Sequence, residues 1–307
     1  MAFTAADVKK LREMTSCGMM DCKKALTEAE GDMDKAVDIL REKGLAASQK
    51  KAGRIAAEGT VYALVEGNTG VVIEVNAETD FVAKNAEFMA FVDTCAKTVI
   101  AENPADVEAL LACKAVGSEM TIDEMLKEKI LVIGENIKIR RFEKYEGPVV
   151  TYIHGGGRIG VMVKFDTTEE VAAKPEFTEF GKDIAMQIAA LNPKYRAPED
   201  LPAEELEKEK AILMEQIHND PKNAKKPAKI IEEKILPGRV NKLFEEICLV
   251  KQAFVKDGDI NVETYVANTA KALGGDISIV SFVRFEKGEG LEKREDNFAD
   301  EVASMIK

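Results

Sequence analysis

The chain has 307 residues, 46% of them hydrophobic and 32% charged, with no Trp and a net charge of −12. That balance belongs to a folded globular protein with length for two or three units of about 100 to 200 residues, and it excludes disordered and fibrous classes. The negative charge disfavours nucleic acid as a direct partner, since basic patches that release counterions drive that binding, and no apolar run reaches the roughly 18 to 20 residues of a membrane span.

The opening "MAFTAADVKKL" has neither an apolar signal core nor an Arg-rich leader, so the expected location is cytoplasmic. Five cysteines (Cys17, Cys22, Cys95, Cys113 and Cys248) are odd in number and lack C-x-x-C spacing, which points to reduced, packed thiols. Residues 1–55 carry 11 Lys and Arg against nine Asp and Glu, leaving −14 for the remainder, and this charge difference marks a separate unit.

Within that unit Thr4 can cap a first helix carrying Val8 and Leu11, and "TSCG" (15–18) breaks it. A second helix from about Met19 to Ala29 turns Ala25 and Leu26 inward. Asp32 can cap a third, with Met33, Ala36, Val37 and Leu40 on one face and Gly44 at the expected stop. "LAASQKKAGRIAAE" (45–58) then reads as a basic linker or frayed helix.

The rest of the chain is an internal repeat. "GTVYALVEGNTGVVIEV" (59–75) matches "GPVVTYIHGGGRIGVMV" (147–163) at an offset of 88, while "AENP" (101–104) matches "ALNP" (190–193) at an offset of 89. "RFEKYEG" (141–147) matches "RFEKGEG" (284–290). Each copy reads as a hairpin, a long helix and a returning strand, an α+β unit with antiparallel sheets. The second copy holds about 55 extra residues, most within 201–247, where Leu206, Leu213, Ile217, Ile231 and Ile235 form the stripes of a helical hairpin. The expected divisions are 1–55, 56–146, 147–290 with the hairpin inserted, and 291–307, a short helix bearing Phe298, Val302 and Ile306.

Chemistry of the enzymatic kind is hard to place. His154 and His218 are the two histidines, and neither has an orienting partner that can be nominated. "GGGRIG" (155–160) satisfies G-x-G-x-x-G formally, but strand "VMVKF" follows where a helix is required, so it reads as a hairpin turn. No phosphate-binding loop, metal cluster or cofactor site is evident; the expectation is no cofactor, no catalytic residue and no metal.

One residue stands out in "VNAETDFVAKN" (75–85). Phe81, Asn85, Phe88 and Val92 share a helical face, so a continuous helix would bury Phe81. The second copy argues otherwise, because the matching position is Glu169 or Glu170. Burying a Phe is worth roughly 1.5–3 kcal/mol, and a fold that needed it there would hardly place Glu at the equivalent point.

"VKKLREMTSCGMMDCKKALTEAEGDMDKAVDILREKG" (8–44), "ETDFVAKN" (78–85), the duplicated core and the hairpin together resemble the bacterial elongation factor Ts family over essentially the whole chain, with "TSCG" departing from the family's Thr-Gly-Ala-Gly. The resemblance implies a ubiquitin-associated-like N-terminal domain, a two-subdomain core, a coiled-coil hairpin and a C-terminal helical module. It also implies a guanine nucleotide exchange factor for the GTPase elongation factor Tu. On that reading Thr79, Asp80, Phe81 and Val82 disturb the partner's magnesium site, Met19 and Met20 belong to an N-terminal contact surface, and Phe298 to a C-terminal one. Two other classes remain as alternatives: a binding adaptor acting through residues 1–55, and an enzyme using the "HGGGR" turn.

Overall fold

The computed structural model describes residues 3–15, 17–223 and 226–292. Thr4 caps α1 (Ala5–Thr15): its hydroxyl accepts from Asp7 N–H, while Thr4 N–H donates to Asp7 Oδ2 at 2.7 Å. That exchange satisfies two of the free donors at the helix start. With α2 (Met19–Glu28) and α3 (Met33–Lys51), capped by Asp32, the helices bury Leu11, Cys22, Ala25, Leu26, Ala36 and Leu40.

The first copy of the repeat follows as β1 (Glu58–Glu66), β2 (Thr69–Ala77), a single 3-10 turn (Val82–Lys84), α4 (Ala86–Glu102), α5 (Val107–Ala112), α6 (Ile122–Ile133) and β3 (Lys138–Glu146), with β2 central in an antiparallel sheet. The second is β4 (Val149–His154), β5 (Ile159–Thr167), α7 (Glu169–Ala172) and α8 (Pro175–Leu191). Its insertion comprises α9 (Ala203–Asn219), α10 (Ala228–Ile230), a π-type stretch (Ile231–Ile235) and α11 (Leu236–Ile247). Then come β6 (Ala253–Phe254), β7 (Asp257–Asn261), α12 (Val262–Leu273) and β8 (Ile277–Glu286), with β5 central between β4 and β8. Mixed helix and antiparallel sheet make this an α+β fold. The repeated "NP" is structural: Asn103 and Asn192 end α4 and α8 in the left-handed conformation, at φ 51° and 46°, where Asn is tolerated better than most side chains.

Strand alternation explains the layering. On β2, Val71, Ile73, Val75 and Ala77 face α4 in one core; their equivalents on β5, Ile159, Val161, Val163 and Phe165, face α8 in another. The opposite faces meet each other through Val61, Val72, Met162 and Phe285, so the two sheets pack together with helices outside. Gly157 lies at this seam; its carbonyl accepts from Val61 N–H at 2.8 Å, and a Cβ there would stand 2.0 Å from Thr60 Oγ1. Gly155, Gly156 and Gly157 all have positive φ in the β4–β5 turn, so "GGGRIG" is a hairpin turn with no helix after it.

On the same inner face Glu74 is wholly buried. It accepts from Asn76 Nδ2, from Gly288 N–H at 2.8 Å, and from the guanidinium groups of Arg140 (3.0 Å) and Arg141 (2.7 Å). Burial pushes its carboxyl up, but the bonds from Gly288, Asn76 and Arg141, with the Arg141 charge, outweigh that and hold it below the usual carboxylate range.

One expectation needs correction, and the alternative of a continuous helix through Phe81 falls away. Gly44 does not stop the third helix, which continues to Lys51; it is buried where α3 crosses α6, and a Cβ would lie 3.3 Å from the Lys127 carbonyl oxygen. The small residue serves close helix approach rather than a left-handed turn. Phe81 likewise does not continue α4: the helix starts at Ala86, and Asn85 caps it by accepting from Glu87 and Phe88 N–H. The insertion packs α9 against α11 with Ile217 and Ile231 buried, and backbone bonds between Tyr195 and Ile247 or Leu249 close its base. The expected C-terminal helix with Phe298 lies outside the described residues. No described helix is long and apolar enough to cross a membrane.

Candidate functional site

The site begins where β2 runs out. Ala77 is the last residue paired with β1, and the chain must turn from the sheet into α4 within eight residues, Glu78 to Asn85. Leaving the ladder frees backbone N–H groups that need new acceptors. Glu135 supplies them: its Oε2 accepts from Glu78 N–H at 3.1 Å and Thr79 N–H at 3.0 Å, and its Oε1 accepts from the Thr79 hydroxyl at 2.7 Å. The exchange is reciprocal, because Glu78 Oε1 accepts from Asn136 N–H at 2.6 Å while Arg54 stands 3.3 Å from the same oxygen. Asn136 Nδ2 closes the ring on the Arg54 carbonyl at 2.8 Å.

Glu135 is in place because Gly134, left-handed at φ 85°, ends α6 and sends the chain towards β3. The Lys51 ammonium donates to the Ile130 carbonyl in the last turn of α6 at 3.1 Å, a favourable end for the helix dipole, and burial followed by the nearby Arg54 charge lowers its pKa. The N-terminal bundle reaches the same helix, since Leu131 and Val132 pack against its core.

The four residues expected to act together do lie on one turn but do not share one environment. Val82 is buried with Phe88 and Val92 in the first core. Thr79 is half-buried on Glu135. Asp80 is exposed, and Phe81 is 80% exposed, bordering a shallow hollow with Val132, Ile133 and Glu87. Leaving a Phe in water forgoes the roughly 1.5–3 kcal/mol that its burial would contribute, so the turn is held by its clamp and by Val82 rather than by the aromatic ring.

Because Val82 and Val171 are both buried, the matching offset here is 89 and the partner of Phe81 is Glu170. Met19 and Met20 sit elsewhere, exposed on α2 at 56% and 62%. His154 is exposed at the end of β4, with Tyr152 Oη 3.0 Å from its Nδ1. Among the described residues no group of three or more His, Cys, Asp and Glu is arranged to hold a metal ion. Sequence reasoning missed Glu78, Glu135, Asn136 and Arg54. A Gly-Glu-Asn between an apolar helix and a strand was the available signal, but its partners are distant in sequence.

A model of the family described as Elongation factor TS matches residues 78–289, which begins at the first residue of this turn. Proteins named Elongation factor Ts are similar over nearly the whole length. The one from Syntrophotalea carbinolica is 49% identical over 314 aligned positions, covering 100% of both chains, and that of Clostridium perfringens strain SM101 is 50% identical, covering 98% of each. The protein from Clostridioides difficile strain 630 is 49% identical over 99% of each chain. Family match and full-length relatives agree: the chain belongs to the elongation factor Ts family of translation elongation factors.

Proposed function

We propose that the chain is a guanine nucleotide exchange factor that binds the GDP complex of elongation factor Tu, disturbs its magnesium and phosphate site, and promotes GDP release without catalytic residues or a cofactor of its own. The observation that carries this reading is Phe81, an exposed aromatic on a firmly held turn whose counterpart in the second repeat is Glu170. A GTPase retains its nucleotide because Mg²⁺ bridges phosphate oxygens and protein hydroxyls while backbone N–H groups cradle the phosphates. An apolar wedge beside a carboxylate, Phe81 next to Asp80, suits the task of deforming that cradle. Thr79 and Val82 anchor the wedge.

Accelerating release a thousandfold to a hundred-thousandfold takes about 4–7 kcal/mol at 1.36 kcal/mol per decade. One ring supplies only part, so further contacts are required: Met19 and Met20, polarizable and exposed, suit an adaptable apolar contact, and Phe298 belongs to the C-terminal one. Exchange factor and nucleotide then bind antagonistically, each weakening the other by the same factor. In this reading residues 1–55 form a ubiquitin-associated-like domain, 56–146 and 147–290 two core subdomains, about 201–247 a coiled-coil arm and 291–307 a C-terminal module, and the chain works in the cytoplasm.

The test is stopped-flow release of fluorescent GDP from purified elongation factor Tu. Wild type should accelerate release strongly, and folded Phe81→Ala should do so far less. Acceleration unchanged by Phe81→Ala would remove the wedge, and no acceleration by wild type would favour an adaptor acting through residues 1–55.

A further inference from the structure

We propose that Glu135 is a positioning residue for the Asp80–Phe81 turn, holding it in the shape that engages the GTPase; the inference rests on the exchange reading above and adds to it a residue remote in sequence from the turn. Both Glu135 oxygens are committed to one dipeptide, Oε2 to the N–H groups of Glu78 and Thr79 and Oε1 to the Thr79 hydroxyl. Charge-assisted bonds of this kind are shorter and roughly twice as strong as neutral ones. Val82, buried in the first core, fixes the far end. Between these anchors lie only Asp80 and Phe81, so the wedge has little freedom left to lose when it meets a partner. Preorganisation of that kind lowers the ordering cost of the step that uses it.

The second repeat supports the assignment. α6 and α12 each end at a left-handed glycine, Gly134 at φ 85° and Gly274 at φ 73°. The next residue is Glu135 in the first copy and Gly275 in the second, which has no side chain to clamp anything. A Cβ on Gly275 would lie 2.7 Å from Val171 Cγ2, so the second copy closes this space with its own valine. Its turn is capped locally instead, the Thr168 hydroxyl accepting from Val171 N–H at 3.3 Å. The copy with the aromatic has the carboxylate clamp; the copy with Glu170 has neither.

The experiment is GDP release from elongation factor Tu over a concentration series of the full chain, comparing wild type, Phe81→Ala, Glu135→Ala, Glu135→Gln, Thr79→Val and Thr79→Ser, with thermal melts of each. Glu135→Ala should lower the saturating rate about three- to tenfold while leaving the half-saturating concentration within about twofold, the pattern of an interaction used after docking. Glu135→Gln should recover part of the loss, because its amide oxygen can accept the two N–H groups and its NH₂ can donate to Thr79. Thr79→Ser should match wild type and Thr79→Val should not. A saturating rate for Glu135→Ala equal to wild type, with Phe81→Ala impaired, overturns the proposal and leaves the exchange reading intact, as does a Glu135→Ala loss seen only in the half-saturating concentration. Wild type that fails to accelerate release removes the exchange reading and this inference together, whereas Phe81→Ala that matches an accelerating wild type removes the wedge, and with it this inference, while leaving the exchange reading in place.

Discussion

The two copies of the core unit use the same backbone for different ends. Each pairs a hairpin with a returning strand, ends its long helix on a left-handed Asn and the last helix before its returning strand on a left-handed Gly, and buries a valine after the central strand: Val82 in one, Val171 in the other. Besides the hairpin inserted in the second copy, three differences bear on the seam and the first turn. Glu74 stands where Met162 does, Phe81 where Glu170 does, and Glu135 where Gly275 does. Positions that match hold the fold, and positions that differ show what the first copy does in addition. A duplicated unit thus carries its own comparison, and each difference can be exchanged experimentally.

The largest expected effect comes from giving the first copy the second copy's core residue, Glu74→Met. The substitution would leave Gly288 N–H without its acceptor and two guanidinium groups without their shared carboxylate. Removing one partner of a buried pair costs about 3–5 kcal/mol when both charges are trapped. Arg140 and Arg141 are partly exposed and can turn to water, so a loss of about 2–4 kcal/mol is expected, measured by urea unfolding at neutral pH. The pH dependence has a definite sign. Glu74 is held below its unfolded value, so its contribution is present above the unfolded pKa of about 4.3 and is lost as pH falls through the lower folded value. Glu74→Met should therefore flatten the acid limb of the stability curve. A neutral-pH stability equal to wild type would show that the seam between the sheets does not depend on this carboxylate.

That seam also marks where sequence reasoning runs out. Caps, turns and alternation are local, so the Thr4 and Asp32 caps, the hairpins, the duplicated strands and the Gly155–Gly157 turn are legible from neighbouring residues. Glu74 in "VVIEV" looks like one polar interruption in an apolar strand, and only the packing of the second sheet explains it. Gly44 is misread for the same reason: its burial depends on α6, some 80 residues away in sequence. For the candidate site, the exposed Phe was legible through the comparison of copies, whereas the clamp joins Arg54, Glu78 and Glu135, which no periodicity connects.

Exchanging Phe81 is the next largest change. Phe81→Glu makes the first turn like the second, and on the proposed function it should slow the exchange reaction about 10- to 100-fold, or about 1.4–2.7 kcal/mol in barrier. Stability should stay within about 0.5 kcal/mol of wild type, because the ring is 80% exposed. A comparable fall in stability would return Phe81 to a packing role.

The paired valines separate anchoring from packing. Val82→Ala and Val171→Ala each remove two buried methyl groups from equivalent positions, and each should cost about 1–2 kcal/mol in urea unfolding. On the proposed function, and under conditions where both variants remain folded, only Val82→Ala should lower the saturating rate of GDP release, since only its turn carries the exposed Phe81. Equal losses of exchange would mean that the rate follows overall stability and not the first turn.

The smallest expected effect is the most demanding of the comparison. Glu170→Phe places an aromatic on the second turn, at an exposed position with the same buried valine beside it. If an exposed Phe after the central strand were sufficient, this variant would gain activity, and it would restore activity to Phe81→Glu. The second turn lacks the carboxylate clamp, with Gly275 in place of Glu135, and its residues have entered α7 at Glu169 instead of standing on a free turn. Glu170→Phe should therefore leave exchange within about twofold of wild type and stability within about 0.5 kcal/mol, and it should rescue nothing in the double variant. Rescue would show that any exposed aromatic on either copy serves, and the distinction between the two turns would then rest on the side chain alone and not on how the backbone holds it.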